Sequence, residues 1–104
     1  MIALATTFAD GVRATIARHD LPWSVSQLGA RCEYRFASPA PTSGNASAAS
    51  YDADLEEYLH LACVNRGVLI TPFHNMALTC PATTAADVAA HQRAFDDAVG
   101  TLVA

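Results

Sequence analysis

The sequence predicts an α+β domain in which a small antiparallel or mixed β-sheet carries helices on one face. Three observations support this fold class: apolar residues at helical spacing near both ends of the chain, short segments of alternating character between them, and proline and glycine residues that separate the segments. The predicted order of elements is α-β-β-α-β-α, without internal repeats. A length of 104 residues suits a single such domain with one hydrophobic core.

The first helix is predicted from large apolar residues that recur between Leu4 and Ile16, while the charged residues fall on other faces. It should end near His19, because Pro22 disfavours helical geometry at the residue before it. We therefore expect an amphipathic helix at the start of the chain.

A β-hairpin is predicted next. Residues 23–28 alternate in the manner of a half-buried strand, and after Gly29 the alternation becomes clean. The apolar face of the second strand carries Cys32, Tyr34 and Phe36. Glu33 and Arg35 lie on the opposite face, where we expect a solvated ion pair that contributes little. Gly29 and Ala30 supply the turn.

A loop, a helix and a third strand are predicted to follow. Residues 38–50 are rich in proline, serine, glycine and alanine and show no periodicity, which predicts an exposed loop. A helix then begins at Asp52 or Asp54 and ends at Gly67, a residue that suits a left-handed helix end. The β-branched run at residues 68–71, halted by a proline, predicts a brief strand.

A further loop, over residues 73–81, leads to the final helix. Thr84, followed three residues later by Asp87, resembles a capping box at the start of that helix. The apolar stripe of the helix consists of Val88, Phe95, Val99 and Leu102. The chain is therefore expected to end on an amphipathic helix, as it begins.

Composition and charge argue against two classes of partner. All six basic residues are arginines, scattered among ten acidic residues, and the formal net charge is -4. Such a chain gains little from a phosphate backbone, so we expect neither nucleic acid nor an anionic membrane as a partner. We recognise no signal peptide or membrane-spanning run, and three widely spaced cysteines indicate reduced thiols. A cytoplasmic protein is expected.

Common catalytic motifs are not recognisable. The five glycines lie too far apart to form a phosphate-binding loop. The four histidines and three cysteines lack metal-ligand spacing, so we expect no metal site. His74 and Cys80 bracket one loop, which leaves a thiol nucleophile as an open alternative, although cysteines of this kind are more often core residues.

The candidate binding residues are Phe73, His74, Asn75 and Met76, directly after a predicted strand and a proline. Loops that concentrate an aromatic ring, an imidazole and an amide often line sites. A structural alternative stays open, in which Asn75 bonds its own backbone within a turn while Phe73 and Met76 fill the core.

Four short motifs occur in sequence along the chain. Residues 65–72, NRGVLITP, match an r-G-v-x-l-x-P segment, and residues 11–22 match a g-l-r-x-x-x-x-x-x-g-l-P helix end. Residues 27–36 match a v-G-s-m-f-x-x-x-F hairpin, and residues 83–88 an h-T-x-x-D-i helix start. Together, in this order, they resemble the C-terminal small domain of class III (fold type I) pyridoxal-phosphate aminotransferases. The branch resembled is that of glutamate-1-semialdehyde 2,1-aminomutase and D-phenylglycine aminotransferase.

The resemblance implies a division between this domain and a larger one. Residues 1–104 would form the small domain, and the large domain that carries the Schiff-base lysine and the phosphate-binding loops would be absent. The chain itself contains no lysine, since its six basic residues are all arginines. The resemblance thus implies pyridoxal phosphate in the complete enzyme, no cofactor and no catalytic residue on this chain alone, and three partners: the lysine-bearing large domain or chain, a second copy in a homodimer, and an amino acid substrate.

One family position maps onto the candidate loop. With a one-residue gap, Asn75 takes the place of a glutamate that approaches the substrate in the aminomutases, and Thr83 takes the place of a histidine. An amide can bond a carboxylate but cannot recognise an amine by charge. The resemblance therefore implies amino transfer from an aromatic D-amino acid more than aminomutation. Two functions remain open: part of a transaminase that is inactive alone, which we favour, and a freestanding non-catalytic binding module of the same fold.

Overall fold

The computed structural model describes residues 1–71 and 75–104. In chain order its elements are α1 (Ile2–Arg18), β1 (Ser24–Leu28), β2 (Arg31–Arg35), α2 (Gly44–Ala49), α3 (Ala53–Asn65), β3 (Met76–Leu78) and α4 (Ala85–Leu102). The predicted α+β class and the order α-β-β-α-β-α of the principal elements are confirmed. No helix among the described residues combines the length and the apolar character that a bilayer span requires.

The short helix α2 lies where the sequence predicted only an exposed loop. The Ser43 side chain accepts a hydrogen bond from the backbone N–H of Ala46 at 3.1 Å, which caps the first turn. Alanine and serine dominate its six residues, and none of them is buried. A helix this small has no apolar stripe, so periodicity could not reveal it.

The three strands form an antiparallel sheet in the order β1-β2-β3. The predicted hairpin is present, with β1 and β2 paired from Ser24 opposite Arg35 to Leu28 opposite Arg31. Gly29, in the turn, has a φ of +59°, a left-handed conformation that glycine adopts without steric cost. Side chains along a strand point alternately to the two faces of the sheet. In β2, the central strand, one set meets the helices and the other set points away from them.

The third strand is not where the sequence predicted it. β3 covers Met76–Leu78, inside the predicted loop, and pairs with β2. The β-branched run at residues 68–71 contains no strand. Its first backbone N–H, that of Val68, donates to the carbonyl of Cys63 at 2.9 Å, directly after Gly67 with a φ of +82°. A bond that finishes the preceding helix therefore fixes the start of this run, against its β-propensity.

The hydrophobic core lies between one face of the sheet and the long helices α1 and α4. The ring of Phe95 on α4 lies 5.0 Å from the ring of Tyr34 on β2 and 6.5 Å from that of Trp23. Phe8 on α1 packs 4.2 Å from the ring of His91. Each fully buried large apolar side chain contributes about 1.5–3 kcal/mol. These contacts join both terminal helices to the sheet.

The face of β2 that points away from the helices carries an ion-pair cluster, Arg31, Glu33 and Arg35. Glu33 Oε1 lies 2.5 Å from Arg35 Nη2, and Glu33 Oε2 lies 2.9 Å from Arg31 Nη2. Only 14% of the Glu33 side chain and 16% of the Arg35 side chain are exposed. The expectation of a solvated pair is therefore wrong. Glu33 lies between Ser26 on β1 and Met76 on β3 in the strand register, and these neighbours reduce its contact with water.

The helices α1 and α4 approach closely at Gly11. Gln92 Nε2 donates to the Gly11 carbonyl at 3.0 Å and to Thr15 Oγ1 at 3.1 Å. Asp96, one turn farther along α4, accepts from Thr15 Oγ1 at 3.1 Å and pairs with Arg18. A Cβ atom added to Gly11 would lie 2.2 Å from Gln92 Oε1. The missing side chain is therefore what lets Gln92 reach the backbone of α1.

We expect Gly11→Ala to lower the free energy of unfolding by about 1 kcal/mol, because Gln92 must move away and lose two hydrogen bonds, a loss that exceeds the gain in helix propensity at this position. Gly100→Ala is the matched control, since nothing lies within 4 Å of the Cβ atom added there. Helix propensity should make that control neutral or more stable, by up to about 1 kcal/mol. Urea denaturation followed by circular dichroism measures both. A Gly11→Ala loss that persists in a Gln92→Ala background would contradict this explanation.

Candidate functional site

The candidate binding loop is described in part. Phe73 and His74 lie outside the described residues, whereas Asn75 lies directly before β3 and Met76 is its first residue. The Thr71 backbone N–H donates to the carbonyl of Met76 at 3.3 Å. This bond closes the base of the loop, so the residues that flank it are held side by side.

Asn75 is buried and joins the loop to β2. Its φ of 47° lies in the left-handed region, which asparagine tolerates better than most residues. The Tyr34 backbone N–H donates to the Asn75 carbonyl, and Asn75 Nδ2 donates to the Tyr34 carbonyl, both at 3.3 Å. Only 5% of the residue is exposed. The Asn75 side chain therefore adds one hydrogen bond to the pairing with β2. It does not bond the backbone of its own turn, as the structural alternative expected.

Met76 lies on the sheet face that points away from the helices, opposite Glu33 in the strand register. It is half-buried. Leu28 and Leu78 occupy the same face and are 78% and 62% exposed. The ion-pair cluster on this face has two arginines and one glutamate, so its formal charge is positive in a chain of net charge -4. We call this combination of apolar and positively charged surface the outward sheet face.

A surface cavity of about 300 Å³ lies on the other side of the loop, between α1, α4 and the segment that precedes the loop. Its walls include Phe8, Val68, Ile70 and His91. Burial lowers the pKa of His91 to about 4, so its imidazole is uncharged at neutral pH. His91 Nε2 is buried without a hydrogen-bond partner. At neutral pH the side chain therefore acts as part of an apolar wall.

Neither the cavity nor the outward sheet face fits pyridoxal phosphate. The chain has no lysine to bond the cofactor. Phosphate needs cations or free backbone N–H donors, but the cavity walls contain no arginine, and the Asp87 carboxylate already occupies the N-terminus of α4 through a capping box with Thr84. Arg31 and Arg35 are paired with Glu33. Neither attachment that the cofactor uses is offered here.

The cysteines differ in environment. Burial raises the pKa of the Cys32 and Cys63 thiols, which is typical of core residues. Cys80 is exposed, and a hydrogen bond from Thr83 Oγ1 at 3.4 Å lowers the pKa of its thiol. His74, the base that thiol catalysis would require, lies outside the described residues. Within the part of the chain that the structure describes, no three metal-ligating side chains gather.

The arrangement of two long helices on a three-stranded sheet is that of a domain of class III pyridoxal-phosphate aminotransferases, as comparison with solved structures shows. The chain is similar to a glutamate-1-semialdehyde aminomutase from Pseudomonas aeruginosa PAO1, with 50% sequence identity and a TM-score of 0.95 over 97% of this chain. That enzyme is also known in complex with PMP. Neither a family model nor a curated protein sequence matches this chain.

Two more distant enzymes share the fold. A β-phenylalanine aminotransferase from Variovorax paradoxus matches 95% of this chain at 20% identity and a TM-score of 0.84. An ω-transaminase from Sphaerobacter thermophilus also matches 95% of it at 20% identity, with a TM-score of 0.78. This chain spans 22% of the Pseudomonas enzyme and 23% of each of the other two. The resemblance to class III aminotransferases is confirmed, and it concerns a domain-sized part of them.

Sequence analysis did not identify the buried environment of His91 or the shielding of Glu33. One signal for His91 is present in the sequence: it lies between Val88 and Phe95, at the spacing of the apolar stripe of α4. Nothing in the sequence marks Glu33 as shielded, because its burial depends on which strands flank β2.

We expect the free energy of unfolding to fall as the pH drops from about 6.5 to about 4, by up to about 3 kcal/mol from His91 alone. The unfolded imidazole takes up a proton in this range, whereas the folded one does so only near the lower limit. Urea titrations at several pH values measure the slope, and His91→Leu should remove that contribution. Equal slopes in the chain and in His91→Leu would contradict the assignment.

We expect Asn75→Ala to lower the free energy of unfolding by about 1–3 kcal/mol, since it loses the bond to Tyr34 and places alanine in a left-handed conformation. Asn75→Gly should cost less, because glycine removes the conformational part of this loss. Urea denaturation compares the two variants. If both variants were as stable as the unmodified chain, the amide contact would be without structural importance.

Proposed function

We propose that this chain is the C-terminal small domain of a class III pyridoxal-phosphate aminotransferase, and that it takes part in amino-group transfer only with a lysine-bearing large domain. The observation that carries the proposal is the 50% identity with the Pseudomonas aeruginosa aminomutase over 97% of this chain, at a TM-score of 0.95. Agreement of this kind reflects shared packing of the whole domain and not one short motif. A homodimer of the complete enzyme is part of the same proposal.

In the complete enzyme, pyridoxal phosphate supplies an electron sink for bond breaking in the amino acid. We infer that the residues of this chain do not hold that group and that their task lies elsewhere. They present the outward sheet face and the loop next to it towards the large domain. Leu28 and Leu78, which are 78% and 62% exposed, supply apolar surface for that contact.

We further propose that Phe73, His74, Asn75 and Met76 bind the substrate. The position of Met76 on the outward sheet face supports this role, because it lies beside the positively charged cluster. One N–H of Asn75 Nδ2 bonds the Tyr34 carbonyl, so a substrate would use the second N–H, which can donate to a carboxylate, or Oδ1, which can accept from an amine or hydroxyl group. Phe73 and Met76 would add apolar contact to its side chain.

The proposed amino donor is an aromatic D-amino acid, with a glutamate-1-semialdehyde-like substrate as the second choice. This preference depends on the sequence resemblance, in which the neutral Asn75 stands where the aminomutases have a glutamate. Without that carboxylate, an amine at this position loses its charged partner. An amino acid recognised mainly through its carboxylate and its ring would lose less.

A freestanding binding module of the same fold is the second candidate. The observation in its favour is a core that is complete within this chain, since Tyr34, Leu59 and Phe95 are fully buried without any partner. An independent core is compatible with both functions. The two candidates differ in whether a large domain can use this chain for catalysis.

We expect a chimera, in which this chain replaces the matching segment of the Pseudomonas aeruginosa aminomutase, to keep cofactor-dependent turnover within about 100-fold of the parent enzyme. A 100-fold loss of turnover is what a small displacement of substrate-contacting residues would cause. Removal of the whole domain should abolish turnover. Steady-state kinetics with the parent substrate and with aromatic D-amino acids measures activity and preference together.

The control is the same chimera with Phe95→Asp, which places an unpaired charge in the core and should fold poorly. The isolated chain should not change the absorbance of added pyridoxal phosphate once its N-terminal amine is blocked. A well-folded chimera that binds the cofactor but shows no turnover with any amino donor would contradict the proposal and favour the binding module.

A further inference from the structure

The outward sheet face carries a positive charge that its own residues do not neutralise. Its charged residues are those of the ion-pair cluster, in which two arginines face one glutamate. The other described residues of this face are uncharged, and they are Ser24, Ser26, Leu28, Met76 and Leu78. The described part of the face therefore has a formal charge of +1, in a chain whose net charge is -4.

Within the cluster, the uncompensated charge lies at Arg31. Glu33 contacts Arg35 at 2.5 Å, and only 14% and 16% of these two side chains are exposed. The contact of Glu33 with Arg31 is longer, 2.9 Å, and 49% of the Arg31 side chain is exposed. Water and salt screen a shielded ion pair less than an exposed one, so Glu33 mainly neutralises Arg35. Arg31 is left as the cation that can accept another partner.

Arg31 borders a surface cavity of about 240 Å³. The cavity walls are formed by Ser26, Gln27, Leu28, Arg31 and Glu33. A water molecule takes up about 30 Å³, so the cavity holds about eight groups of that size, which is enough for the side chain of an aspartate or a glutamate. The Arg31 guanidinium and the Ser26 hydroxyl are donors, whereas a carboxylate only accepts. The cavity therefore offers both room and donors to one carboxylate.

Apolar side chains lie on both sides of Arg31. Leu28 on β1 and Leu78 on β3 are its partners in the strand register, and they are 78% and 62% exposed. Neighbouring strands are about 4.8 Å apart, so the backbones of the two leucines are separated by about 10 Å, with Arg31 between them. A complementary surface would therefore have apolar groups on both sides of the group that meets Arg31.

Covering the outward sheet face removes Arg31 from water, and this limits what can cover it. Arginine does not lose its proton in proteins, so an apolar surface over Arg31 would leave an unpaired charge at a high cost in free energy. A carboxylate at this point compensates that charge. A phosphate group fits less well, because its charge of about −1.5 to −2 exceeds the single positive charge of the face.

We propose that the outward sheet face docks against the lysine-bearing large domain, and that an acidic side chain of that domain enters the cavity at Arg31. Arg31 donates N–H groups to the carboxylate, and Ser26 donates its hydroxyl. Leu28 and Leu78 pack against apolar neighbours of the acid. The large domain is a partner of this chain only under the proposed function, on which the inference rests.

The first test measures how fast phenylglyoxal modifies Arg31 in this chain and in the Pseudomonas aeruginosa chimera, with peptide mapping by mass spectrometry. Arg13 is the matched control, because its side chain is 50% exposed and pairs with Asp10 at 3.0 Å, yet it lies on α1. Arg31 should react at least about 10-fold more slowly in the chimera, since the reagent then has to wait for the interface to open. Arg13 should change by about 2-fold at most. Equal protection of both arginines, or of neither, would overturn the proposal.

The second test asks whether the group that meets Arg31 is an acid. In the chimera, the urea midpoint measured by circular dichroism should fall most for Arg31→Glu, less for Arg31→Met and least for Arg31→Lys, because these changes repel, release and retain the carboxylate. The same variants of the isolated chain measure the effect of losing Glu33 as a partner, which is subtracted. Arg13→Met should shift the chimera and the isolated chain equally. If Arg31→Met were as stable as the unmodified chimera or more stable, the facing surface would be apolar and the proposal would fail.

Two other occupants of the cavity give different results. A second copy of this chain would slow the labelling of Arg31 as the concentration of the isolated chain rises. A substrate carboxylate would slow it in the chimera only after an amino acid is added, and either result would overturn the proposal. Labelling and circular dichroism do not require turnover, so a protected Arg31 in an inactive chimera would count against the proposed function alone. An unprotected Arg31 in an active chimera would count against this interface alone.

Discussion

The contact between Phe95 and Tyr34 holds the C-terminal helix against the central strand of the sheet. Both rings are fully buried, and their centres lie 5.0 Å apart. Tyr34 is in the central strand, so fixing its side chain also fixes the backbone that pairs with β1 and with Asn75. Tyr58 strengthens the same region, since its hydroxyl donates to the Ala98 carbonyl on α4 at 2.7 Å. The position of the candidate loop is therefore set by the core and not by the loop's own residues.

The elements that the sequence predicts well are those whose apolar pattern and local signals agree. α1 and α4 combine helical spacing with a proline after one and a capping box before the other, and the hairpin combines alternation with a turn glycine. At Val68 the local preference for a strand conflicts with the bond to Cys63 that completes α3, and the run that begins there does not form a strand. Met76–Leu78 becomes a strand because β2 offers it an open edge, which no property of three residues could reveal.

The candidate site shows the same limit. The sequence pattern indicates that Asn75 is a polar residue near a turn and a candidate for binding. It does not reveal that the amide bonds Tyr34, which is 41 residues away in the chain. The burial of Glu56 is equally hidden, because an acidic residue in the first turn of a helix is ordinarily read as a favourable and exposed charge. Whether a single polar residue is buried depends on tertiary packing between distant parts of the chain. In the sequence, only the family resemblance carries information about such long-range contacts.

The small number of strands has a consequence for how this domain can be handled. In a three-stranded sheet only β2 is paired on both sides, so β1 and β3 each leave one row of backbone N–H and carbonyl groups without a neighbouring strand among the described residues. Rows of this kind can recruit strands from other molecules, and the exposed leucines at 28 and 78 would make such pairing favourable. An excised or transplanted copy is therefore exposed to intermolecular β-addition. An expressed fragment of this kind should therefore include any segment that covers the free edges of β1 and β3.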